Sequence, residues 1–151
     1  MNDHIKSWLF VLTQAVLLIL LIFFSPGTTQ THAINTAGKV IQVFGWAILL
    51  VSFYDLRKSL TALPLPTKRG VLQIHGLYKF VRHPMYVGVL TLSLGIAMAG
   101  GGLLKYALGL ALYILFSYKA RYEETLLLAK YPGYKAYMQK TGRFIPRPPK
   151  H

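Results

Sequence analysis

The chain has 151 residues, 54% of them hydrophobic and only 14% charged, against roughly 25% charged in an ordinary soluble domain, and its mean hydropathy is +0.43. One folding unit of this length carries too little charge to coat a water-facing globule, while its apolar content excludes disorder and the lack of any repeat excludes fibrous or low-complexity classes. Lys and Arg number 17 against 4 Asp and Glu, for a net charge of +13, and there is no cysteine, which removes disulfides, thiolate metal sites and a cysteine nucleophile.

The first apolar stretch, Ser7 to Thr31, contains no charged residue and predicts a span over about residues 7–26, since about 20 residues cross the hydrocarbon core. Lys6 followed by an apolar run also fits a signal peptide, but three further apolar stretches make that a poor account of the chain. The second, Val40 to Tyr54, predicts a span over 38–55, in which Gly45, Ala47 and Ser52 are small enough for close helix contact. Pro64, Pro66 and Gly70 then break the helix, so residues 61–76 should form a loop along the membrane surface. The third stretch runs uncharged from Pro84 to Leu104 and predicts a span over 84–100. Gly100, Gly101 and Gly102 mark a tight reversal, and Tyr106 to Tyr118 predicts a fourth span over 103–120, its end lysines snorkelling to the headgroups. The expected fold is all-α: a single domain over 1–151, four transmembrane helices and a C-terminal cytosolic or interfacial helix within 121–151.

Basic residues set the orientation. Lys6, the six between spans two and three (Arg57, Lys58, Lys68, Arg69, Lys79, Arg82) and the eight after span four (Lys119, Arg121, Lys130, Lys135, Lys140, Arg143, Arg147, Lys150) share one side, leaving Lys39 and Lys105 on the other. Both termini should therefore face the cytoplasm, in a multi-pass protein of a bacterial-type inner membrane. In a soluble chain this charge would suggest nucleic acid; between apolar runs it suggests an anionic membrane face, no nucleic acid and no obligate protein partner.

Two clusters on that side carry chemical potential. GLYKFVRHPMYVG, Gly76 to Gly88, puts Pro84 at the first turn of a span, with Arg82 and His83 beside the unpaired N–H groups of a helix start, an arrangement suited to an anion. A plain interfacial anchor, with Tyr78 and Tyr86 in the aromatic belt, fits the same residues. The second cluster follows span four. Glu123 and Glu124 are two of the four acids; they could simply pair with Lys119 and Arg121 at helical spacing, but an acid near the bilayer marks a candidate site. Tyr131, Tyr134 and Tyr137 recur every three residues, as an aromatic stripe on a helix would, mostly for packing. Because spans three and four form a hairpin, the clusters should meet. An anion site, carboxylates and tyrosine faces together suit a ligand with a carboxylate, a ribose, an adenine and a positive centre, as in S-adenosylmethionine. His4, His32, His75, His83 and His151 are scattered, without metal-ligand spacing.

GLYKFVRHPMYVG at 76–88, followed one hairpin later by EETLLLAKYPGYKAYMQKTGRFIP at 123–146, resembles the integral-membrane methyltransferases of the isoprenylcysteine carboxyl methyltransferase type and their phospholipid N-methyltransferase relatives, over roughly residues 70 to 148. The resemblance implies a cofactor, S-adenosyl-L-methionine, between the hairpin and the C-terminal segment. Gln73, Tyr78, His83, Pro84, Met85, Tyr86 and Glu123 or Glu124 would contact it, and Arg121 or Lys119 would orient the acceptor, with Arg121 and Glu124 taken as the catalytic pair. The reaction implied is in-line methyl transfer to a lipid or other amphiphilic acceptor bearing a carboxylate, thiol or amine. A membrane reductase of the sterol-reductase type using NADPH, and a non-enzymatic small membrane protein, are the alternatives. The first two spans carry no matching motif.

Overall fold

The structure, a computed structural model, describes residues 3–24, 27–57 and 72–147; most of the expected loop at 61–76 lies outside them. Helix α1 (Asp3–Ile19) continues into a π-helical turn (Leu20–Phe24), followed by α2 (His32–Leu56), a 3-10 turn (Gly76–Lys79), α3 (Pro84–Gly100), α4 (Leu103–Lys130) and the short α5 (Tyr134–Lys140). The architecture is all-helical, as expected. Among the described residues, three helices are long and apolar enough to cross a membrane, His4–Phe23, His32–Leu56 and Leu103–Lys130, while α3 is shorter at 17 residues.

Three boundaries differ from the sequence expectation. Helix α2 starts six residues before the expected 38, capped by Thr31, whose hydroxyl accepts from the Ile34 N–H. Its polar first half is accommodated because the Asn35 and Gln42 amides donate to the Ala99 and Gly95 carbonyls of α3, at 2.8 and 3.1 Å. Helix α4 runs on past the expected span end at 120, through both glutamates to Lys130, since nothing in KARYEETLLLAK disfavours helix before Pro132. The tyrosine stripe is also broken: Tyr131 caps α4 in extended conformation, while Tyr134 and Tyr137 belong to α5.

In the packing, α3 lies between α2 and α4, and α1 rests on α4. Small residues set the α2–α3 contact. A Cβ on Gly38 would lie 2.5 Å from the Ala99 nitrogen, and one on Gly45 2.7 Å from the Leu92 nitrogen, so the backbones touch as small-residue membrane contacts allow. Ser52 is buried and its hydroxyl donates to the Ile48 carbonyl, but Ala47 is exposed and lies outside the contact. The α3–α4 reversal turns on Gly101 and Gly102, with φ of 66° and 89°, a region that favours glycine. Leu21, Leu112 and Phe116 form the buried core where α1, α3 and α4 meet, with Tyr86 and Phe144 packed on it. Outward faces are apolar instead of charged: Val43, Phe44, Phe53 and Trp8 are all more than half exposed. Such exposed apolar side chains suit hydrocarbon. Hydroxyls on the helices bond back to carbonyls one turn earlier, as Thr91, Ser93 and Ser117 do, which satisfies these donors without water.

Candidate functional site

The two expected clusters meet where α3 begins. Pro84 occupies the first turn of α3 and His83 its N-cap. The tail after α5 returns alongside 81–83 through an isolated parallel bridge, Val81 to Gly142, in which the Arg82 and His83 N–H groups donate to the Gly142 and Arg143 carbonyls at 2.9 and 3.2 Å. The chain's own tail therefore lies against the helix start where an external anion was expected, and takes up the Arg82 and His83 amides.

The negative charge at this helix start is Glu124. Arg82 Nε donates to its Oε1 at 2.8 Å, Arg143 Nη2 to its Oε2 at 2.5 Å, and His83 Nε2 lies 3.3 Å from Oε1. Arg82 also donates through Nη1 to the Met138 carbonyl at 3.2 Å and to the Thr141 carbonyl. Bidentate, charge-assisted bonding of this kind satisfies both carboxylate oxygens. With a side chain only 4% exposed, Glu124 has no face left for a substrate. It ties α3, α4 and the tail together.

Glu123 differs. Its Oε1 accepts from the Tyr86 hydroxyl at 2.6 Å and its Oε2 lies 3.3 Å from His83 Nδ1; each oxygen keeps a further lone-pair site, and the side chain is 17% exposed. The imidazole thus has a carboxylate at each nitrogen. Burial opposes its protonation, but the bonds to Glu123 and then Glu124 outweigh that and raise its pKa above the ordinary histidine value. Its ring stacks on Tyr86 (5.3 Å, 4°), which stacks in turn on Phe116 (4.6 Å, 8°), while Phe144 meets the imidazole edge-on at 6.2 Å.

Tyr78 is buried beside this cluster. Its carbonyl accepts from the Tyr137 hydroxyl at 2.5 Å, and burial pushes the Tyr78 hydroxyl well above its usual range and that of Tyr137 up to about 12, so both remain neutral donors. The 3-10 turn carrying Tyr78 is anchored by Asp55 at the end of α2, whose Oδ2 accepts from the Leu77 N–H at 3.0 Å. A Cβ on Gly76 would strike that carboxylate at 2.0 Å.

Of the residues expected at the site, the structure brings together Tyr78, His83, Pro84, Tyr86, Glu123 and Glu124. Met85 and Gln73 are half-buried, the first in the opening turn of α3 and the second in the irregular segment before the 3-10 turn. Arg121 is exposed on α4 and, among the described residues, makes no ion pair with either glutamate. Lys119 is buried instead: its Nζ donates to Gln14 Oε1 of α1 at 2.9 Å and lies 5.2 Å over the Tyr86 ring. Sequence reading missed Arg143 as the second guanidinium on Glu124, although it begins the Arg-Phe-Ile-Pro ending, and missed Phe116 and Gln14. Gln14 alone carried a usable signal, an amide deep in an apolar run. A cavity of about 210 Å³, lined by Leu90, Ala97, Leu110 and Tyr113 among others, opens between α3 and α4, and Tyr113 at its edge lies 6.1 Å from Phe144.

Comparison with known proteins places these features. The profile of the phospholipid methyltransferase family matches residues 34–133. A protein-S-isoprenylcysteine O-methyltransferase from Tribolium castaneum is 28% identical over 128 residues, which is 82% of this chain and 46% of that protein. The solved structure of a eukaryotic intramembrane Ras methyltransferase, an isoprenylcysteine carboxyl methyltransferase, superposes with a TM-score of 0.71 at 24% identity, over 95% of this chain and 50% of that one. The chain thus spans about half the length of the relatives it matches.

Proposed function

The chain belongs to the phospholipid methyltransferase family, and from that premise we propose that it transfers the methyl group of S-adenosylmethionine to an amphiphilic acceptor that enters from the bilayer. The observation that carries this reading is the half-open Glu123 carboxylate, held by Tyr86 and His83 above a closed Glu124 clamp. A carboxylate with free lone pairs and partial exposure suits the hydroxyls and ammonium of such a nucleotide, whereas the saturated Glu124 does not. When bound, the cofactor supplies an activated sulfonium methyl. The protein's part is alignment: Glu123 and Tyr78 orient the donor, Tyr86 is fixed between His83 and Phe116, and the apolar surroundings exclude water. Alignment of this kind supplies about 7–11 kcal/mol of a bimolecular barrier. Glu124 serves as a positioning residue, and Lys119 faces the site where Arg121 does not. A carboxylate or thiolate acceptor requires no general base; an ammonium acceptor must first lose a proton.

The same reading places α3 as a fourth span between α2 and α4 and puts both termini in the cytoplasm, from the asymmetry of basic residues. The test is a labelled-methyl assay on membranes containing the full chain, with S-adenosylhomocysteine binding measured on purified protein. Label should appear in a lipid or other amphiphile, and His83→Ala and Glu123→Ala should each weaken S-adenosylhomocysteine about tenfold or more, the loss of one charge-assisted hydrogen bond. NADPH binding without S-adenosylhomocysteine binding would replace the assignment with a reductase.

A further inference from the structure

Away from the paired glutamates, the chain places an acid where helix chemistry disfavours it. Asp55 lies in the last turn of α2, at the negative end of the helix dipole. Among the described residues it forms no ion pair, and the neighbouring Arg57 guanidinium is turned onto the Tyr54 carbonyl and ring instead. An acid that breaks a local rule in this way points to a role beyond its own helix.

Its carboxylate reaches the turn that carries Tyr78. Asp55 Oδ2 accepts from the Leu77 N–H at 3.0 Å, while His75, which precedes the turn, makes no side-chain cap bond of its own. Helix α2 thus supplies the cap from 22 residues away. The fit is close. Gly76 has a φ of 61°, and a Cβ there would lie 2.0 Å from Oδ2, so the turn backbone rests directly on the carboxylate. The Tyr78 carbonyl accepts in turn from the Tyr137 hydroxyl, so the turn is held from both α2 and α5. Burial, and after it Tyr137, Glu123 and Asp55, push the pKa of the Tyr78 hydroxyl up, which puts the phenol within the field of both acids. We propose that Asp55 is a positioning residue of the site: it fixes the 76–79 turn so that the Tyr78 phenol stands where, with Glu123, it orients the nucleotide. This rests on the methyltransferase reading and gives α2, which carries no matching motif, a part in cofactor binding.

The test is calorimetric S-adenosylhomocysteine affinity of the full chain in phosphatidylcholine nanodiscs, with the thermal midpoint of each variant measured alongside. Tyr78→Phe and Asp55→Ala should each weaken binding about fivefold or more, as one lost hydrogen bond does. Combined, they should bind within about twofold of the weaker single variant, because Asp55 acts through the phenol. Asp55→Asn keeps an oxygen for the Leu77 N–H and should stay within about threefold of the unmodified protein. Asp55→Glu keeps the charge but, one methylene longer, displaces the turn and should lose about fivefold or more. A link that only stabilises the fold lowers the midpoint, and any loss of affinity it causes multiplies in full with that of Tyr78→Phe. If Asp55→Ala does not fold, the contrast between the Asn and Glu variants decides. No binding to the unmodified protein removes the methyltransferase assignment and this inference with it. With that binding present, three results overturn this inference alone: unchanged affinity in Asp55→Ala, a fully multiplicative loss in the double variant, or Asp55→Glu binding as well as or better than Asp55→Asn.

Discussion

Glu124 accepts from Arg82, Arg143 and His83 at once, so Glu124→Ala leaves the buried Arg82 guanidinium facing no anion and the imidazole with Glu123 alone. The expected cost is about 3–5 kcal/mol, the range for breaking a buried ion pair from one side, read as a large fall in thermal midpoint in detergent. The neutral but isosteric Glu124→Gln should fall between. His83 makes this cluster pH-dependent. Because its folded pKa is raised above the unfolded value, near 6.5 in model peptides, its stabilisation is complete below about pH 6.5 and is lost as pH rises through the higher folded value. The midpoint should decline from mildly acidic toward alkaline pH, and His83→Gln should flatten that slope; a pH-independent midpoint in the unmodified protein would refute the assignment. The residue types at this site were visible in the sequence, since Arg-His-Pro and Glu-Glu are rare chemistry in so apolar a chain. Their division of labour was not. Neighbouring glutamates point about 100° apart on a helix, and the positions of Arg82 and Arg143 decide which one is filled.

Helix packing depends on single atoms at α2 and α3. Gly38→Ala places a methyl group against the Ala99 and Gly95 backbones at 2.5 and 2.8 Å, which neither helix can yield without separating, so it should cost about 1–3 kcal/mol, as overpacking does. Gly109 on α4 has nothing within 4 Å of its Cβ position, and Gly109→Ala should be neutral or stabilise by up to about 1 kcal/mol through helix propensity. Paired thermal midpoints for the two variants check both signs. The existence of the long helices was legible because apolar runs of this length have few alternatives. Helix starts and stops were less so: α2 takes in a polar first half because α3 offers carbonyls to Asn35 and Gln42, and α4 outlasts its apolar part because Glu124 finds its partners there.

Across the whole molecule, the tail folds back on the start of α3, so residues far apart in sequence close one site at one end of the helix bundle. The proposed orientation puts that end in the cytoplasm. With no native cysteine, single substitutions report without background: Thr29→Cys, between the first two helices, should react with a membrane-impermeant maleimide in intact cells, and Lys140→Cys should react only after permeabilisation. The reverse pattern would invert the topology.

The sequence by itself determined the all-helical membrane character, the hairpin at the glycines and the residue types of the site, because hydrophobic length, glycine conformational freedom and local motif chemistry are properties of short segments. Tertiary structure alone decided that Glu124 is a closed clamp while Glu123 stays open, that Lys119 faces inward while Arg121 does not, and that α1 contributes Gln14. Those outcomes depend on which face of a helix meets which partner, and that is fixed by contacts between segments 19 to 105 residues apart, where local periodicity carries no information.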